Sequence, residues 1–226
     1  MCGRFVLEGI DEVFARFRLS GSEDLIGNIK PRYNIAPLHY AYTISRNARH
    51  ENILEMMKWG LIPSWSKDPK IASRMINARV ETVDVKSSFK TLLKTNRCLV
   101  PCSGFYEWKA IGTKKVPHYI GLKESRMFCL AGIYDVWKDS DGNDLKTFTI
   151  LTTRPNKTIK PIHSRMPVIL HQELEDQWLN TKIQNPDTIK RLLRPYPDDD
   201  MITYTVSNEV NNPGNDNPEL IKQVHY

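Results

Sequence analysis

The sequence predicts an α+β fold, with a mixed, largely antiparallel β-barrel-like core and peripheral helices. Three observations carry this. About eight short runs are rich in β-branched and aromatic residues and are bounded by turn residues. Helical periodicity is confined to a few short stretches. Strand–helix–strand alternation is scarce, which argues against a doubly wound parallel sheet.

The elements follow in order. Residues 10–19 (IDEVFARFRL) read as a short amphipathic helix with Val13, Phe14 and Phe17 on one face. A polar loop comes next, then PRYNIAP. Strands are expected over 40–46 and 53–59. Residues 60–69 (GLIPSWSKDP) form a long loop carrying two prolines and Trp65. Residues 85–95 (VKSSFKTLLKT) read as a helix with Val85, Phe89, Leu92 and Leu93 inward. Strands are expected around 97–101, 103–109, 117–122, 127–134 and 147–153, with DSDGND at 139–144 joining the last two as a hairpin. Helices at 171–180 and 187–194 and a strand at 202–206 complete the set, the second helix stopping before Pro195. The Asn/Pro-rich segment 207–226 is too polar for core and is expected to be loop-like or packed on the site.

A chain of 226 residues can bury a substantial core, and no linker or repeat divides it, so one domain over 1–226 is expected. Hydrophobic content of 40% with 26% charge excludes a disordered composition. No apolar run reaches the ~18 residues of a membrane span, and no signal-peptide pattern opens the chain. A cytoplasmic, nucleoid-associated protein with no membrane partner is expected. The net charge of +6 is spread along the chain, which fits a folded basic groove for a polyanion better than a disordered arm. Cysteines stand at 2, 98, 102 and 129. The Cys98/Cys102 spacing lacks the partners of a zinc site and falls in a strand-like run, so reduced cysteines, no metal and no cofactor are expected.

The start, Met1-Cys2-Gly3-Arg4, carries particular chemistry. With Met1 removed, Cys2 holds a thiol and a free α-amine on adjacent carbons. The amine titrates near ~7.7–8.0, so a usable fraction is neutral at pH 7. A 1,2-aminothiol condenses with an aldehyde to an imine and then closes to a thiazolidine, which resists hydrolysis better than a plain Schiff base. Three further segments each set one reactive residue among small or apolar neighbours: Asn77 in INARVET, Glu107 in GFYEW and His163 in IHSRMP. An amide, a carboxylate and an imidazole complete an acid–base set around the nucleophile.

These segments resemble the SRAP family (SOS response-associated peptidase), whose members process abasic sites in DNA. The match runs in order through MCGRF, YNIAP, WGLIPSW, NARVET, RCLVPCSGFYEW, AGIYDVW, ILTTRPN, IHSRMPVIL and VSNEVNNPGNDNPELI. The resemblance implies a single SRAP domain built around a barrel-like core. It also implies a covalent cross-link between Cys2 and the ring-opened aldehyde of an abasic site in single-stranded DNA. On that reading His163 supplies a proton to the sugar ring oxygen, Glu107 shuttles protons, and Asn77 orients the nucleophile. Arg4, Arg79 and Arg165 are the phosphate candidates. Asn34, Thr152 and Thr153 are further backbone contacts, and Trp65 is a stacking residue. Trp59 and Trp108 are expected in the core. A monomer is expected. Two rival readings stand beside this one: an N-terminal-nucleophile peptidase using Cys2, and a non-covalent single-strand binder.

Overall fold

The computed structural model describes residues 2–20 and 28–225. Met1, Tyr226 and part of the polar loop expected after the first helix lie outside the described residues. The strands are β1 (Phe5–Leu7), β2 (Arg32–Ile35), β3 (Tyr40–Arg46), β4 (Asn52–Trp59), β5 (Asn77–Arg79), β6 (Arg97–Cys102), β7 (Gly104–Ile111), β8 (Lys114–Leu122), β9 (Phe128–Lys138), β10 (Asp144–Thr153), β11 (Met166–Pro167), β12 (Ile169–Leu170) and β13 (Met201–Thr205). The helices are α1 (Ile10–Arg16), α2 (Leu92–Thr95), α3 (Gln172–Leu179) and α4 (Pro186–Lys190).

Strands β10, β4, β3, β6 and β9 pair in succession, and β9 pairs back to β10, closing a five-stranded barrel. Its pairings are antiparallel except β10 with β4, so the α+β, barrel-like expectation is met by a mixed barrel. Closure removes the sheet edges that an open sheet would expose. The β9–β10 hairpin forms where DSDGND lies. Asp139 accepts from the backbone N–H groups of Asp141 and Asn143 at 2.9 and 2.8 Å, and Gly142 takes φ 84°, which suits glycine.

A second sheet, ordered β13-β8-β7-β1-β2, lies against the barrel. Its central strands are buried on both faces, and alternation decides what each face meets. Phe5, Leu7 and Phe105 join the large core shared with the barrel. Val6 and Tyr106 join a smaller cluster with Val206, Val210 and Leu220 from the C-terminal segment. The sheet is therefore sandwiched between the barrel and that segment. Glu107 shares the barrel-facing side with Phe105, whereas Arg4 and Trp108 fall with Val6 and Tyr106.

The helix expected over 85–95 needs correction. Regular α-helix covers only Leu92–Thr95, preceded by successive turns. Phe89, Leu92 and Leu93 are buried as expected, but Val85 is 68% exposed. The Ser87-Ser88 pair has low helix propensity, and too few apolar positions remain to hold a longer helix against the barrel. Trp59 is fully buried, as expected, its indole donating to Ile76 O at 2.8 Å. Trp108 is only half-buried. The four cysteines are free and buried.

Candidate active site

Strand β1 runs between β7 and β2 and draws the residues before it into the crevice between sheet and barrel. Tyr106 N donates to Arg4 O at 3.0 Å and Ser103 N to Val6 O at 2.9 Å. The first of these extends the pairing toward Cys2, which is completely buried. Asn77 opens β5, whose parallel pairing with β10 puts Asn77 opposite Ile150. From there its Nδ2 donates to Cys2 O at 2.8 Å. Its Oδ1 is buried and has no partner among the described residues.

Glu107 is buried on β7, and His163 stands at the mouth of the site. A tight turn carries the histidine, with His163 N donating to Ile159 O at 2.9 Å. Its Nδ1 lies 3.9 Å from Glu107 Oε1. The same Nδ1 lies 3.0 Å from Arg165 N and 3.2 Å from Arg165 O, so the ring's tautomer sets which of the two it bonds. Glu107 and His163, with Trp108, Lys115, Ser164 and Asn211, line a cavity of about 690 Å³. The four residues expected to act together are thus joined pairwise: Asn77 to Cys2, and His163 to Glu107.

Burial pushes the Cys2 thiol far up, and the neighbouring Glu107 carboxylate adds to that; the Arg4 backbone N–H opposes it weakly. The resting sulfur is a neutral thiol. Burial also raises Glu107, although positive charge at His163 favours its ionised form. A carboxyl held above its usual range next to an imidazole is suited to moving protons in both directions.

The remaining expected site residues divide. Arg79 is exposed in a groove of about 490 Å³ shared with Arg74, Thr82 and Lys86, beside Asn77. Trp65 is 62% exposed. The other five have internal partners or are buried. Arg165 grips Glu81 through both terminal nitrogens at 2.7 and 2.9 Å and bonds the Thr152 carbonyl. Thr152 and Thr153 are themselves buried. Asn34 is fully buried, and its Nδ2 reaches the carbonyls of Val210, Asn212 and Asn215 at 3.2, 3.0 and 2.8 Å. Arg4 donates to Asn34 Oδ1 at 3.0 Å and to Val210 O at 2.6 Å. Arg4 and Asn34 therefore clamp the C-terminal segment over the sheet. Trp108, expected in the core, and Asn211, which the sequence reading did not single out, join across that clamp, the indole donating to Asn211 Oδ1. The sequence signal for Asn211 is the cluster of asparagines in SNEVNNPGNDN.

The family model described as SOS response associated peptidase (SRAP) matches residues 1–213, so the chain belongs to that family. It is 46% identical over 224 residues to the abasic site processing protein YoqW of Bacillus subtilis, covering 98% of this chain and 99% of that protein. It is 33% identical to the abasic site processing protein HMCES of Gallus gallus, over 88% of this chain and 68% of that one. Among solved structures, a protein from Bacteroides thetaiotaomicron superposes with a TM-score of 0.88 at 30% identity, over 99% of this chain and the whole of the other.

Proposed function

We propose that this protein senses abasic sites in single-stranded DNA and, after removal of Met1, binds them covalently through Cys2 as a thiazolidine. The observation that carries this reading is the joint placement of Cys2, held through its carbonyl by Asn77, and the Glu107–His163 pair at 3.9 Å. The names of its relatives support it.

The chemistry runs in four balanced steps. His163 protonates the ring oxygen as the C1′–O4′ bond of the closed sugar breaks, the C1′ hydroxyl gives its proton to the Glu107 carboxylate, and C1′ becomes an aldehyde. The Cys2 amine adds to C1′, giving a carbinolamine, with Asn77 orienting the nucleophile. Glu107 passes that proton to the departing hydroxyl, water leaves, and the nitrogen gives up its proton to His163, so that an imine remains and both residues return to their starting state. The Cys2 sulfur then adds to C1′, and its proton moves through Glu107 to nitrogen, closing the five-membered ring. The sum is protein plus abasic DNA giving adduct and one water. A neutral, buried thiol suits this order, because sulfur acts last, on an activated imine.

Arg79 and Trp65 are proposed to meet DNA directly, through phosphate and base stacking. Arg4, Asn34, Thr152, Thr153 and Arg165 build the walls it meets. An abasic site offers no base edge, so recognition is of sugar, phosphate and missing stacking, with little sequence preference. A cytoplasmic monomer acting on damaged DNA fits this role.

The test is intact-mass spectrometry after mixing the protein with a single-stranded oligonucleotide bearing one abasic site. The expected species is Met1-less protein plus oligonucleotide minus water, stable to denaturation without borohydride and absent for Cys2→Ala. A chain shown to begin at Cys2 that yields no adduct overturns the reading. Turnover of a peptide amide would then favour the N-terminal-nucleophile peptidase, and DNA affinity unchanged by Cys2→Ala would favour the non-covalent binder.

A further inference from the structure

The C-terminal segment is more than a cover. Asn211 lines the same cavity as Glu107 and His163. Its Oδ1 accepts from the Trp108 indole Nε1–H at 2.7 Å. An indole N–H can only donate, so this bond orients the amide and turns Nδ2 away from Trp108. Neither Nδ2 hydrogen has an acceptor among the described residues. The backbone of the residue is equally constrained. Arg4 Nη2 donates to Asn211 O at 3.2 Å, and Arg4 Nη1 holds Val210 O. Further along, Asp216 accepts from Tyr33 N at 2.5 Å and pairs with Arg32. An exposed asparagine is ordinarily free to rotate. This one presents a fixed pair of donors at the rim of the cavity, with Lys115 on the same wall.

We propose that Asn211 is a substrate-binding residue, its Nδ2 donating to a non-bridging phosphate oxygen next to the abasic sugar. A phosphate is the acceptor that single-stranded DNA offers at every step, and a rim donor beside a lysine suits it. The donor is set before DNA arrives, so little rotamer entropy is lost on binding. The inference rests on the proposed function, because it takes the cavity as the seat of the abasic nucleotide.

The experiment is single-turnover cross-linking over a range of oligonucleotide concentrations. Adduct formation by the unaltered protein tests the parent reading alone; if none forms, that reading has failed whatever Asn211 does. Given an adduct, Asn211→Ala is expected to raise the half-saturating DNA concentration about tenfold, with the saturating rate within about twofold. Asn211→Asp keeps the acceptor for Trp108 but replaces the donor with an anion, so its loss should be larger. It is also isosteric, and it decides the matter if the alanine variant melts early. Oligonucleotides with a neutral methylphosphonate 5′ or 3′ of the abasic residue locate the acceptor. On one of them Asn211→Ala should cause no further loss. Unchanged half-saturation in Asn211→Ala, Asn211→Asp binding like the unaltered protein, or full additivity on both methylphosphonates would each overturn the proposal.

Discussion

The side-chain nitrogen of Asn77 lies 2.8 Å from the carbonyl oxygen of Cys2. A residue at the start of β5 thereby holds the residue ahead of β1, although the two are 75 positions apart in the chain. The bond leaves the thiol and the α-nitrogen of Cys2 unencumbered by Asn77, while anchoring the carbonyl attached to the α-carbon that bears them.

Asn77→Ala should therefore act on rate more than on folding. Loss of one hydrogen bond is expected to lower stability by ~1 kcal/mol. Loosening the nucleophile by a fraction of an ångström should slow single-turnover adduct formation about 10- to 100-fold. Parallel denaturant titrations and cross-linking time courses check both figures, and an unchanged rate would remove Asn77 from the mechanism.

Arg79 and Arg165 should separate cleanly in salt titrations. Arg79 is exposed beside a groove, so Arg79→Ala should weaken DNA binding and lower the slope of log affinity against log salt by about 0.7. Arg165 is committed to Glu81 and Thr152, so Arg165→Ala should lower the melting temperature and leave that slope unchanged.

Glu175 should make stability depend on pH. It is buried on α3 against Arg16, and burial raises it to about 7 despite that partner and a bond from Cys129. Its folded value exceeds the ordinary ~4.3, so the folded state binds the extra proton between those limits. The associated stability is complete below about pH 4 and is lost as pH rises through about 7. Glu173, the other carboxylate acting on it, reinforces the rise. Glu175→Gln should flatten melting temperature against pH across that window; an unchanged profile would refute the assignment.

Gly104 ties the fold to the site. A Cβ there would lie 2.3 Å from the Tyr119 ring, whose hydroxyl donates to Ser103 O at 2.8 Å. Gly104→Ala should cost ~1–3 kcal/mol by forcing that ring aside. Because Gly104 begins the strand bearing Glu107, cross-linking should slow as well. Urea unfolding and adduct rate are the measurements, and Tyr119→Phe, which removes only the hydroxyl, should do less.

Much of this was legible from residue order. The β3, β4, β9 and β10 strands follow from local runs of β-branched and aromatic residues, and the DSDGND turn from side chains that bond their own backbone. Cys2, Asn77, Glu107 and His163 were visible as reactive groups in unusual settings. The apolar spacing over 85–95 has a helical period, yet the core surface accepts only Phe89, Leu92 and Leu93 and leaves Val85 exposed, so the helix shortens to Leu92–Thr95.

By itself, the sequence determined the strand-rich class, the principal turn and the identity of the reactive groups, because those depend on neighbours along the chain. Only the tertiary structure decided that β10 closes on β4, that Asn77 grips Cys2, and that Arg4 and Asn34 clamp the segment bearing Asn211. Each of those contacts joins residues from 75 to more than 200 positions apart, or pairs strands through the closing of a barrel. Such contacts form when buried polar groups find partners as two sheets and a C-terminal segment pack together, and local periodicity carries no record of that choice.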